Sequence, residues 1–380
     1  MKIDLTDEQE MLWSATAQLA RKACTPERLR AATSAGLGFE RGDWEASAAL
    51  AWPGMMLPEN VGGAGSSGGV TAAAIVGEEL GAALYPGPFI EVSVVGDALA
   101  RVGTPDQRQA LLPGLAAGGT VATWAVADDS WSWDGSGRLT RAEPDGGGWT
   151  VSGRKLAVVH AAGADHVLLT AASPAGPLQL LIPASAPGLT VEPQRGLDLT
   201  RRVAAVCLDQ VHVERSAVLG EPGDDTPIER QLQLACVLNS LDTVGATQRF
   251  FEETVEYARD RVAFGRPIGS FQAIKHQLAD GRTWLEAGQA AAWRAVAALE
   301  VEDSEAAEIV SVAKAFLGHH CPRIVQTCMQ VHGGIAMTWD HPAHHYLRRV
   351  RTNAALYGSA AWHRDRVCAL AGMGAARGGP

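Results

Sequence analysis

The sequence predicts an α+β fold in three successive segments. These are a helical domain over residues 1–118, an antiparallel β-barrel or sandwich domain over 119–222, and a second helical domain over 223–375, followed by a disordered tail at 376–380. Two changes of texture carry this reading. The first segment is rich in Ala, Leu and Glu at helical spacing, whereas TVATWAVA, WTVSGRKLAVV, HVLLTA, LQLLIP and VAAVCLDQVHV are short β-branched runs parted by Gly, Pro and Asp. No helical stretch interrupts those runs, which favours an antiparallel sheet over a parallel βαβ arrangement. Beyond Thr226 the helical pattern returns in long segments.

Taken in order, the first helix has Thr6 as its predicted N-cap, with Glu8 and Glu10 near the positive end of the helix dipole. The Pro/Gly-rich LPENVGGAGSSGG (Leu57–Gly69) predicts a loop before the helix TAAAIVGEELGAAL. Thr104 followed by Pro105 predicts another helix start, with proline at the first helical position. Within the middle segment Val167 to Val191 carries no formal charge, but Pro174, Pro177, Pro183 and Pro187 exclude a membrane-spanning helix and point to strands and turns. The Gly-rich ending, GMGAARGGP, has no apolar pattern to order it.

Composition excludes several classes. The 380 residues are 47% hydrophobic and 19% charged, enough apolar material for a sizeable core and unlike a disordered chain. A net charge of −10 repels nucleic acid and anionic membranes, so a phosphate-bearing ligand must be held locally. Six cysteines with no C-x-x-C pair read as reduced thiols. The N-terminus runs into charge with no apolar signal region, and these readings together predict a soluble, cytoplasmic protein.

The obvious ligand motifs are weak. NVGGAGSSGG lacks the preceding strand and the Gly-Lys-Ser/Thr ending of a phosphate loop. His341, His344 and His345, with His319 and His320 upstream, have no matching carboxylates for a metal site. Two cassettes in the last third stand out instead. In YARDRVAFGRPIGSFQAIKHQLAD (Tyr257–Asp280), an Arg ends a long helix, Phe264-Gly265 and a loop with Pro267 and Gly269 follow, and a second helix opens near Ser270. Arg261 offers a planar fork suited to pyrophosphate, and the glycines permit turns that side chains obstruct. In QVHGGIAMTWDHPAHHYLRR (Gln330–Arg349), His332-Gly333-Gly334 after a helix gives either close backbone approach to a ligand or a C-cap. Taken alone, each cassette reads as structural.

Together, and in this domain order, they resemble the acyl-CoA dehydrogenase family. The opening LTDEQEMLWSATAQLARK, then LPENVGGAG, EELGAALYPGP, GTPDQRQALLPGLAAG, LDQVHVERSAVLGEPGD, RVAFGRPIGSFQAIKHQLAD and QVHGGIAMTW are similar to family landmarks, in family order, over nearly the whole chain. The resemblance implies a C-terminal four-helix bundle, FAD as cofactor, and oxidation of an acyl-CoA thioester to its α,β-enoyl form. It also implies electron-transfer flavoprotein as a redox partner.

The chain departs from the family at the positions that carry the chemistry. The family needs a carboxylate to take the α-proton. In the matching stretch Leu356-Tyr357-Gly358-Ser359, Tyr357 stands where that Glu belongs, and a phenol with a pKa near ~10 is a poor base at neutral pH. The alternative base position, on the first long helix of the bundle, falls on Ala235. The nearest acids are Glu229 and Asp242, and either needs a shifted register or a different geometry. AVADDSWSWD (Ala125–Asp134) replaces the family's Thr-Glu-Pro and Gly-Ser-Asp stretch. In GRKLAVVHAAGAD, Ala157 and Val159 replace the Trp that packs on the flavin ring and the Thr that hydrogen-bonds near N5.

What is retained has a pattern of its own. In this family each flavin is shared: one subunit supplies the ring-binding residues and the base, and its neighbour grips the ADP half. Arg261, Phe264, Gly265, Gln272, Gln330, Gly333 and Gly334 match the neighbour's contribution. The chain resembles the non-catalytic subunit of the heteromeric (α2β2) acyl-CoA dehydrogenases of bacterial steroid side-chain degradation, in which a paralogous subunit carries the base. Two other readings compete with it. One is a self-sufficient homomer using Asp242 or Glu229 as base. The other is a redox-inactive acyl-CoA-binding scaffold, which would have little use for Arg261 and the Gln-x-x-Gly-Gly stretch.

Overall fold

The structure is a computed structural model that describes residues 5–34, 38–65, 68–129, 131–133, 135 and 139–373. The predicted tail at 376–380 lies outside the described residues. The chain divides into two compact units. One is formed by Met1–Arg30, Ala74–Tyr85 and Cys236–Pro380, the other by Ala31–Ala73 and Pro86–Ala235.

Helices come first: α1 (Asp7–Ala23), α2 (Pro26–Ser34), α3 (Arg41–Ala46), α4 (Val70–Ala82), α5 (Phe89–Val102) and α6 (Pro105–Ala116). Both predicted caps are present. The Thr6 Oγ1 accepts from the Gln9 N–H at 3.3 Å while the Gln9 side chain accepts from the Thr6 N–H, and Thr104 and Gln107 repeat the arrangement ahead of Pro105. Each such reciprocal pair satisfies two backbone donors that a helix start leaves open. Leu57–Gly69 runs to the start of α4 with one 3₁₀ turn at Glu59–Val61; Ser66 and Ser67 lie outside the described residues.

The strands follow as β1 (Ala122–Ala125), β2 (Arg141–Asp145), β3 (Gly148–Val159), β4 (His166–Ser173), β5 (Gly176–Pro183), β6 (Leu189–Pro193) and β7 (Val203–Glu214). They form one seven-stranded sheet in the order β1-β4-β2-β3-β7-β6, with β5 paired to β4. The sheet is mixed rather than wholly antiparallel, because β4 runs parallel to both β1 and β2. Parallel neighbours need a long return connection, and the β2–β3 hairpin lying between β1 and β4 in sequence supplies it. Val151, Val167, Leu169, Leu180, Val206 and Val211, on alternating strand positions, form its core.

The remaining elements are α7 (Thr226–Asp260), the short strands β8 (Val262–Ala263) and β9 (Arg266–Pro267), α8 (Gln272–Glu300), α9 (Ala306–His332), α10 (Ala343–Asn353) and α11 (Ala360–Leu370). Helix, sheet and helix thus succeed one another as the sequence predicts. In the first unit Phe250, Phe251, Leu285, Ile324, Val325, Tyr346 and Val350 draw α7, α8, α9 and α10 into one core. Glycines let α4 cross α7 closely: a Cβ on Gly245 would lie 1.8 Å from the Glu78 carbonyl oxygen, and one on Gly81 would lie 2.1 Å from that of Asp242. Among the described residues no helix is long and apolar enough to cross a membrane.

Candidate functional site

The first cassette is a tight β-turn at the end of α7. The Arg261 N–H donates to the Tyr257 carbonyl at 2.8 Å, and the Arg261 carbonyl accepts from the Ile268 N–H at 2.8 Å. Between them β8 and β9 pair, with Phe264 (φ 53°) and Gly265 (φ 78°) as the two turn residues. Positive φ at both central positions is the signature of a type I′ turn, which suits Gly and strains Phe. Phe264 is 95% exposed and meets Phe271 edge-on, and the Phe271 ring also carries the Arg266 guanidinium at 4.2 Å. A bulky residue held in an unfavourable conformation with its ring in solvent is a strained feature of the kind found at binding surfaces. Arg261 and Gln272, the first residue of α8, are exposed beside it.

The second cassette lies at the end of α9. Gln330 is exposed on the last turn, and Gly333 (φ 70°) ends the helix, its N–H returning to the carbonyls of Met329 and Gln330. Nothing lies within 4 Å of a Cβ placed on Gly265, Gly333 or Gly334, so the backbone there is open to close approach. Ile335, Met337 and Trp339 extend the exposed apolar surface beyond it. The His332 ring joins the two cassettes. It stacks on Tyr257, four residues before Arg261, with centroids 4.3 Å apart, and stands next to Gly333 in the chain. Arg261, Phe264, Gly265 and Gln272 therefore open from the same end of the α7/α9 pair as Gln330, Gly333 and Gly334. A guanidinium and two side-chain amides, beside backbone that no side chain covers, form a donor set that fits a nucleotide diphosphate.

The positions of the expected base tell a different story. Tyr357 is buried at φ 60°, and its carbonyl accepts from His363 Nε2 at 3.0 Å and from the Cys236 thiol at 3.5 Å. Burial and the nearby Lys314 cation hold the His363 pKa down at about 3, so this contact is made by a neutral ring. Ala235 is fully buried. Asp242 has both oxygens engaged: Oδ2 with Arg349 Nη1 at 2.8 Å and Oδ1 with Asn353 Nδ2 at 2.6 Å. Arg349 is itself wholly buried and reaches the Tyr85 carbonyl at 3.0 Å. Glu229 accepts from Gln233 one turn along α7. On β3 the chain bulges at Ala157 (φ 50°), whose N–H donates to Gln194, and Val159 is buried.

Two features had no mark in the sequence reading. Lys314 is buried with its ammonium on Asn239 Oδ1 at 2.8 Å and on the Asn353 carbonyl, so Asn353 links a buried cation to the Asp242–Arg349 pair. The first unit also encloses a cavity of about 900 Å³ among α1, α4, α7, α8 and α10, with Glu78 on its wall. Glu78 accepts from Trp293 Nε1 at 3.1 Å and from Gln289 at 3.2 Å. Burial outweighs those hydrogen bonds and lifts its pKa to about 7. A glutamate beside an apolar stripe was the available signal, but EEL in an Ala-rich helix looks the same whether it faces solvent or a cavity. Among the described residues no group of three or more His, Cys, Asp or Glu could hold a metal ion.

The acyl-CoA dehydrogenase N-terminal domain profile matches residues 6–119, and that of the C-terminal domain matches residues 227–370. Acyl-CoA dehydrogenase IpdE2 of Mycobacterium tuberculosis is 30% identical, over 93% of this chain and 94% of its own. A variant of the Tcur3481-Tcur3483 steroid ACAD superposes with a TM-score of 0.89 at 31% identity, covering 97% of this chain and 99% of that one. A chain of the ChsE4-ChsE5 complex from Mycobacterium tuberculosis gives 0.88 at 26% identity, with complete coverage of both. Matches at both ends of the sequence, and a relative sharing nearly its full length, leave one assignment: the chain belongs to the acyl-CoA dehydrogenase family.

Proposed function

We propose that this chain is the non-catalytic subunit of a heteromeric, FAD-dependent acyl-CoA dehydrogenase. The observation that carries the reading is an asymmetry. The exposed residues that would grip the ADP half of a flavin are retained, while the two family base positions hold a buried tyrosine and a buried alanine. A paralogous subunit supplies the carboxylate that takes the α-proton from the acyl-CoA. FAD, held in part by Arg261, Gln272 and Gln330, would supply the acceptor for the β-hydride, and electron-transfer flavoprotein would be its redox partner.

The residues of this chain bind and orient. Arg261 neutralises pyrophosphate charge with a planar fork, Gln272 and Gln330 donate from their amides, and Gly333 and Gly334 admit the ligand close to the backbone. Phe264, held out in solvent, is placed to dock on a neighbouring subunit. The similarity to a steroid ACAD and to the ChsE4-ChsE5 complex supports both the heteromer and a bulky, steroid-derived acyl group.

Replacing Arg261 in the co-expressed complex tests the half-site. A charge-assisted bidentate contact is worth about 1.5–3 kcal/mol, so Arg261→Ala weakens FAD retention roughly tenfold or more. An ordinary exposed helix-end arginine would change stability by only about 0.5 kcal/mol and leave flavin binding unaltered. FAD retention equal to that of the parent would refute the half-site.

A further inference from the structure

We infer that His332 is a positioning residue for the ADP half-site: at the end of α9, clamped by Tyr257 and Phe250 of α7, its ring fixes the Gly333–Gly334 turn relative to Arg261. The inference rests on the function proposed above and adds to it a residue that need not touch the cofactor.

The ring is the second member of a stacked column. Tyr257 lies on one face with centroids 4.3 Å apart and planes 21° apart, and Phe250 lies at 5.3 Å and 16°. Phe250 in turn stacks on Tyr346 of α10 at 5.3 Å and 6°. Rotation of the ring within the column is stopped by Thr254, whose Oγ1 lies 3.2 Å from His332 Nε2. The hydroxyl has one hydrogen, and it donates that to the Phe250 carbonyl at 2.7 Å, so towards the histidine it accepts. Nε2 therefore carries the ring proton and Nδ1 is bare. Nδ1 is buried and has no hydrogen-bond partner.

Charge cannot be the purpose of this histidine. Burial, reinforced by His341, holds its pKa down at about 4, and the ring is neutral at physiological pH. Packing alone is a poor explanation too, because a bare buried acceptor is a penalty that Phe or Leu would not incur. What the imidazole adds over either is a flat ring with a donor aimed at α7. It sits one residue from the open Gly333–Gly334 backbone that must admit the ligand, and it presses on the helical turn that ends in Arg261. Binding groups held by their neighbours to within about 0.5 Å keep their affinity, and losing that support weakens binding without deleting any contact.

The test is FAD affinity of the deflavinated, co-expressed complex, followed by flavin fluorescence. His332→Ala raises the Kd at least about fivefold, Thr254→Val, which keeps the shape but removes the hydroxyl that accepts from Nε2 and donates to the Phe250 carbonyl, raises it about threefold, and His332→Phe, which keeps the flat ring, recovers at least about half of the alanine loss. Gel filtration reports the assembly of each variant. If His332→Ala binds FAD like the parent while Arg261→Ala does not, the clamp is refuted and the half-site survives. If Arg261→Ala also binds like the parent, the function proposed above fails instead. Should His332→Ala not assemble, Thr254→Val decides, and parental affinity in that variant overturns the inference.

Discussion

Replacing Asp242 by asparagine conserves shape and removes one charge at the centre of the first unit. In the parent, the Asp242 carboxylate bridges Arg349 and Asn353, and Arg349 is completely buried. Asparagine leaves that guanidinium without its counter-ion, and its NH₂ faces a donor whichever way the amide is turned. Breaking a buried ion pair on one side costs about 3–5 kcal/mol, because the remaining charge has no solvent to retreat to. At about 2–4 °C per kcal/mol for a unit of this size, the Tm falls by roughly 6 °C or more. Circular dichroism of the co-expressed complex measures it. The double replacement Asp242→Leu, Arg349→Met removes both charges and recovers most of the loss, since a buried pair exchanged for apolar side chains is often neutral or stabilising. An Asp242→Asn variant with parental Tm that retains FAD but loses turnover would refute this reasoning and make Asp242 the base of a self-sufficient enzyme.

The pH dependence of stability reports Glu78. Its pKa rises from an ordinary value near 4.5 to about 7, so its favourable contribution is complete below 4.5 and fades as pH rises through 7. The loss over that interval is about 3 kcal/mol, and Glu78→Gln flattens the slope in urea titrations run between pH 5 and 8; an unchanged slope contradicts the assignment. Arg261→Lys keeps the charge but not the planar fork, and recovers only part of the FAD affinity lost in Arg261→Ala; full recovery would reduce the contact to simple charge attraction.

How much of this was legible in the sequence depends on the range of the interaction. Thr6 and Thr104 are readable because a capping box is closed within four residues. The succession of helix, sheet and helix is readable because periodicity is local. The two parallel pairings of β4 are not, since nothing within a strand states which non-adjacent strand it will meet. In the sequence the Phe264–Gly265 turn is indistinguishable from any loop between two helices, and the β8–β9 pairing across it emerges only when the flanking residues close. The Asp242–Arg349 pair joins positions 107 residues apart, so nothing near Asp242 in the sequence distinguishes a paired carboxylate from a possible base. The sequence around His332 fits a ligand-facing turn or a cap equally well, and the column that clamps the ring comes from α7 and α10, which no motif announces.

Flavin content of the purified chain, alone and after co-expression with a paralogous acyl-CoA dehydrogenase subunit, tests the central claim most directly. The account predicts a colourless, inactive protein alone. It predicts a yellow heteromer on co-expression that oxidises a steroid side-chain CoA thioester in preference to straight-chain acyl-CoAs. A yellow, active homomer from this chain alone would contradict it.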